Sequence, residues 1–210
     1  MTYELFLGLL GFAFVSSITP GPNNAMLMAS GANFGVLRTV PHMLGVGIGF
    51  MLMIVLVGLG LMQVFEAFPV LDLALKVVSV VYLLWLAWKI ATAAPRLPDT
   101  PETGGVPMTF LQAAAFQWVN PKAWSMATYA IVNYAKAEDG TRTLLAIAVV
   151  ALVFGIVNIP SVGCWTVLGQ QMRRFLTSPG RLQAFNITMA LLLVATLVPL
   201  FFPELLGAAT

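Results

Sequence analysis

The chain has 210 residues, 60% of them hydrophobic and only 9% charged, with a mean hydropathy of +0.93 and a net charge of +2. An average soluble domain carries about 25% charged residues, so this composition describes a polytopic membrane protein whose first partner is the lipid bilayer. The ten basic residues are scattered rather than gathered into a stripe, which argues against nucleic acid. A lone Cys164 and a lone His42 can form neither an intramolecular disulfide nor a structural zinc site, so no metal and no cofactor are expected.

A helix needs roughly 20 apolar residues to cross a bilayer core, and charge-free intervals in the sequence predict six spans. The first covers residues 5–30. Glu4 stands where a signal peptide would carry positive charge, so this segment is expected to be retained as a span. Within it, Thr19-Pro20-Gly21-Pro22-Asn23 interrupts the apolar run: proline removes a backbone donor and clashes with the preceding turn, so the helix should break there. The second span lies between Arg38 and Glu66, and the third covers 69–91 with Lys76 near its start. Residues 93–107 hold four prolines, Gly104-Gly105 and several charges, a linker composition. The fourth span, 109–134, is broken in its turn at Asn120-Pro121-Lys122; the fifth runs over 144–170 and the sixth over 184–202.

These elements predict an all-α fold of two three-helix repeats, residues 1–92 and 108–210, within one transmembrane domain. With three spans in each, the second repeat must insert upside down relative to the first. Lys and Arg in short loops set the orientation. With the amino terminus outside, the cytoplasmic side collects Arg38, Lys89, Arg96, Arg173, Arg174 and Arg181, against Lys76, Lys136 and Arg142 outside. Both termini are then periplasmic.

Broken helices leave amide and carbonyl groups that lipid cannot satisfy, and one break in each repeat is the pattern of a secondary transporter with its substrate near the midplane. The expected substrate-binding residues are Thr19, Pro20, Gly21, Asn23 and Asn24 at the first break, and Asn120 and Lys122 at the second. Lys122 is the one ionisable side chain expected deep in the membrane, where an ammonium costs at least about 2.5 kcal/mol. A substrate carboxylate or a transported proton would compensate it; so would snorkelling, or the carbonyls orphaned by Pro121. Asn23 and Asn24 could equally cap the resumed helix. His42, Trp118, Asn158 and Asn186 are candidates for gating or coupling. Their plainer roles are an interfacial place for His42, core packing for Trp118, and helix–helix hydrogen bonds for Asn158, Asn186 and the two glutamines Gln112 and Gln117. Gly31 with Gly35 and Gly45 with Gly49 have close-packing spacing, serving either the fold or a dimer face. Trp85 and Trp88 beside Lys89 read as an interfacial belt.

Together these residues resemble the LysE/RhtB amino-acid exporters of bacterial inner membranes. The likeness rests on Thr19-Pro20-Gly21-Pro22-Asn23, the stretch from Gly31 to Arg38, Asn120-Pro121-Lys122, and Arg173-Arg174-Phe175-Leu176 with Phe185-Asn186 and Met189. It implies export of amino acids or derivatives of the homoserine, threonine, lysine or leucine type, driven by proton-motive force, and is compatible with a homodimer. Two other classes stay open on the residues alone: export of a different small solute, and an intramembrane hydrolase pairing Ser16 or Ser17 with Lys122 as its base.

Overall fold

The computed structural model of the protein describes residues 1–93, 106–135 and 144–198, so nearly all of the expected linker and the charged residues Arg96, Lys136 and Arg142 lie outside the described residues. Every regular element among them is helical. The first broken pair is α1 (Tyr3–Ile18) and α2 (Pro22–Phe34), bent by 53° across Thr19, Pro20 and Gly21. Pro22 opens α2 at a position where its missing N–H costs nothing. Gly35, at φ +82°, turns the chain from α2 into α3 (Val36–Leu56), a backbone conformation that favours glycine.

A π-helical turn at Val57–Leu61, kinked at Gly60 with φ +109°, joins α3 to α4 (Met62–Ala67). Next comes α5 (Pro69–Ala91), with the bounds predicted for the third span. The second broken pair is α6 (Phe110–Phe116), opened by a capping box between Thr109 and Gln112, and α7 (Pro121–Tyr134), joined through a 3-10 turn at Gln117–Val119. α8 (Leu144–Met172) is the longest unbroken α-helical element described, and α9 (Pro179–Ala195) starts after the Ser178 cap.

Three described helices are long and apolar enough to cross a membrane, Val36–Ala67, Pro69–Ala91 and Leu144–Met172, and the bent pair Tyr3–Ile18 with Pro22–Phe34 counts as a fourth when taken as one broken span. α8 packs along α1, α2 and α3, while α6 packs on α3 and α9 on α5. Each apolar cluster therefore mixes the two halves of the chain: Phe50 and Ile54 with Ala127 and Phe154, or Leu83 and Leu86 with Phe116 and Leu193. The glycines serve these crossings. A Cβ at Gly31 would sit 2.9 Å from the Thr166 carbonyl carbon, and one at Gly49 2.6 Å from Ala114 Cα. At Gly45 it would lie 2.8 Å from Ala113 Cβ. The close-packing glycines Gly31, Gly45 and Gly49 thus face the inside of this chain, on α8 and α6.

Candidate functional site: two helix breaks joined by a lysine

Ending a helix in apolar surroundings strands its last carbonyls, and every one of them must find a donor. At the end of α1 five successive carbonyls do so through side chains. Thr19 Oγ1 donates to Ser16 O (3.1 Å), and Asn24 Nδ2 donates to Ser17 O (2.9 Å) and to Thr19 O (2.7 Å). Trp165 Nε1, from α8, donates to Ile18 O (3.0 Å). Lys122 Nζ reaches across from the other break, donating to Thr19 O (2.7 Å), Thr19 Oγ1 (3.0 Å) and Pro20 O (3.2 Å).

The two breaks are thus one site. Gly21 makes the approach of Lys122 feasible: a Cβ there would lie 2.7 Å from Lys122 Cδ and 3.1 Å from Nζ. A second bridge is the reciprocal carboxamide pair of Asn23 and Gln117, with Asn23 Nδ2 donating to Gln117 Oε1 (2.9 Å) and Gln117 Nε2 to Asn23 Oδ1 (3.2 Å). Asn120 Oδ1 accepts from Lys122 N (3.2 Å), capping α7 and fixing the lysine's place one residue inside the helix.

Between the breaks lies a cavity of about 20 Å³, room for about one water molecule. Its lining includes Ser17, Asn23, Asn24, Gln117, Lys122 and Asn158. Asn158 donates to Ser17 Oγ (3.1 Å), and its Oδ1 is buried without a hydrogen-bond partner among the described residues. The site therefore holds one fixed ammonium, several carbonyls and one spare acceptor. Among the described residues no Asp or Glu is buried, and no three His, Cys, Asp or Glu converge as metal ligands.

Of the expected site residues, the structure brings Thr19, Pro20, Gly21, Asn23, Asn24, Asn120 and Lys122 together. Asn158 joins them from α8. The other gating and coupling candidates stand apart from the cavity lining. Trp118 is half-buried and packs edge-on against Trp124, with ring centroids 5.8 Å apart. Asn186 accepts from Asn33 Nδ2 (3.1 Å) at the α2–α9 contact. His42 is buried within the protein, 1% exposed, and among the described residues neither ring nitrogen has a partner. Sequence reasoning assigned Gln117 only to helix–helix hydrogen bonding and Ser17 only to the hydrolase alternative. The signal available for both was a polar residue in an apolar run beside a break.

The family model for LysE type translocators matches residues 7–200. The cysteine/O-acetylserine efflux protein of Escherichia coli (strain K12) is 27% identical over 208 residues, covering 96% of this chain and 100% of the relative. The protein of the same name from Shigella sonnei (strain Ss046) has the same identity and coverage, and that of Escherichia coli O139:H28 (strain E24377A / ETEC) is 26% identical. No solved structure matches the chain.

Proposed function

The chain belongs to the LysE type translocator family, a family of membrane transport proteins, and from that premise we propose that it exports a small zwitterionic amino acid or amino-acid derivative from the bacterial cytoplasm. The observation that carries this reading is the position of Lys122 Nζ on the Thr19 and Pro20 carbonyls. An ammonium resting on two backbone carbonyls has the chemistry of a substrate's own α-ammonium. An incoming zwitterion can exchange with it: the substrate ammonium takes the carbonyls and the spare Asn158 Oδ1, and the released Lys122 meets the carboxylate. Each charge keeps a partner throughout, which offsets the cost of holding it in a low-dielectric interior.

A cavity of about 20 Å³ is too small for any amino acid, so this conformation is closed to substrate. Binding must separate Lys122 from Thr19 and thereby part the two breaks, the step that would couple occupancy to alternating access. In this reading the broken pair α6–α7 and helix α9 complete six spans in two inverted repeats, residues 1–92 and 108–210. The protein lies in the inner membrane with both termini periplasmic. Proton-motive force acts through Lys122, through buried His42 or through the charge of the substrate, since no buried carboxylate is present among the described residues. The relatives' names point to cysteine and O-acetylserine as the first substrates to try, beside homoserine, threonine, lysine and leucine. A hydrolase is less well supported: Ser16 Oγ donates to Phe12 O (2.6 Å) rather than to Lys122.

Proteoliposomes loaded with each labelled amino acid in turn test the proposal. Efflux of at least one, faster than from protein-free vesicles and accelerated by an imposed proton gradient, is expected. No efflux of any of them refutes it.

A further inference from the structure

A larger cavity, of about 540 Å³, opens between α4, α5 and α7 and has no role in the exchange described above. It exists because α5 is packed along only part of its length. All its buried residues, Ser79, Leu83, Leu86 and Ala87, lie in its later turns, whereas Val70, Leu71 and Leu73 at its start are exposed. The early turns stand off from α7 and leave a space within the usual range of small-molecule sites, about 300–1,000 Å³. Its lining includes Pro121, the residue before Lys122.

One wall carries the ion pair Lys76–Asp72 (2.7 Å), formed within one helix face and half-exposed to the cavity. Facing it on α7 are Ser125 and Thr128. Among the described residues the two charges have no other partner. Pairs of this exposure hold each other weakly, by up to about 1 kcal/mol, so a ligand with both charges can open one at little cost. A zwitterion is such a ligand, with its ammonium against Asp72 and its carboxylate against Lys76.

We infer that the Asp72–Lys76 cavity is a second, outer binding station for the zwitterionic amino acid, separate from the site at Lys122. This rests on the amino-acid export proposed above. The two cavities are complementary in this conformation: the inner one is closed around Lys122 while the outer one is large enough for a complete amino acid. In the proposed topology the outer station lies on the periplasmic side of the breaks, where substrate leaving Lys122 would pause.

The test is site protection in purified full-length protein. A thiol is introduced at the cavity wall by Val132→Cys in a Cys164→Ser background, and its modification by a charged thiol reagent is timed. O-acetylserine, serine, threonine and leucine are the added probes. At least one is expected to slow modification in this protein and equally after Lys122→Met, which leaves the outer station whole. Asp72→Asn or Lys76→Met should raise the concentration for half-protection by about 5-fold. Protection that vanishes with Lys122→Met would show a single site, and protection indifferent to both Asp72→Asn and Lys76→Met would show that the pair binds nothing. Absence of protection by probes that the Val132→Cys, Cys164→Ser protein exports normally would also overturn the inference. Absence of export by the wild type for every amino acid would instead remove the functional reading, and this one with it.

Discussion

Alanine at Gly21 separates the position of Lys122 from its chemistry. The new methyl would stand 2.7 Å from Lys122 Cδ, 3.1 Å from Nζ and 3.4 Å from Cε. Carbon atoms rest about 3.5–4.0 Å apart, so the lysine stem must retreat by about 1 Å. The backbone at Gly21, φ −173° and ψ 178°, is extended and open to any residue, so the chain itself has no reason to move. A retreat of that size takes the Nζ bonds to Thr19 Oγ1 (3.0 Å) and Pro20 O (3.2 Å) beyond hydrogen-bonding distance. Hydrogen bonds to a charged group contribute about 1.5–3 kcal/mol each; these hold the closed conformation, so losing one lowers the cost of releasing Lys122 and should tighten substrate binding about 10- to 150-fold. The assay is the half-saturation concentration for efflux in proteoliposomes, with the thermal unfolding midpoint measured alongside. Half-saturation should fall, and the midpoint should fall with it, because the lost bonds belong to the closed conformation. Because the effect runs through Lys122, Gly21→Ala should add nothing to Lys122→Met. An additive fall in the unfolding midpoint of the double variant, or unchanged kinetics in the single one, would refute the reasoning.

At the α2–α8 crossing, a Cβ on Gly169 would lie 2.8 Å from the Met28 carbonyl carbon and 3.0 Å from Ala32 N, so two backbones must part. Gly169→Ala should lower stability in detergent by about 1–3 kcal/mol, whereas Gly180→Ala, with open space around it, should not. Asn24→Ala orphans the Ser17 carbonyl, a loss of about 1–3 kcal/mol, seen as a lower unfolding midpoint; Asn24→Asp should be worse, because it sets an anion against two carbonyl oxygens. Asn23→Ala and Gln117→Ala each dissolve the reciprocal pair. Their combination should therefore cost less than the sum of the two, with a coupling of about 0.5–3 kcal/mol in thermal unfolding.

The local breaks were legible in the sequence because their cause is local. Pro22 and Pro121 each open a helix at its first position, whereas the N-cap role of Asn120 emerges only from the fold. The bounds of α5 followed from the charges and proline around it. Charge-free intervals failed where a charged residue sits in a helix's first turn: α3 begins at Val36, before Arg38, and α9 at Pro179, before Arg181. The π turn and the kink at Gly60 fall in the apolar run Val57–Leu61, whose composition is that of an unbroken helix. Partners were less legible than positions. That Asn158, Ser17 and Gln117 share a cavity depends on α8 crossing the α1–α2 break, a contact between residues more than a hundred positions apart in the chain. Glycine spacing showed that helices would cross closely, but only the packing shows that Gly31, Gly45 and Gly49 meet α8 and α6 of the same chain.

The most direct test of the account compares labelled amino-acid efflux by the wild type, Lys122→Arg and Lys122→Met in proteoliposomes, at equal protein level and with unfolding midpoints recorded. The account predicts efflux lost in Lys122→Met and at least partly kept in Lys122→Arg, with the protein folded in both. Removing the ammonium also removes its desolvation cost of at least about 2.5 kcal/mol, which offsets the lost hydrogen bonds and keeps the methionine variant folded. Wild-type efflux in a folded Lys122→Met protein would contradict it, leaving Lys122 as a cap for the broken helix and no more.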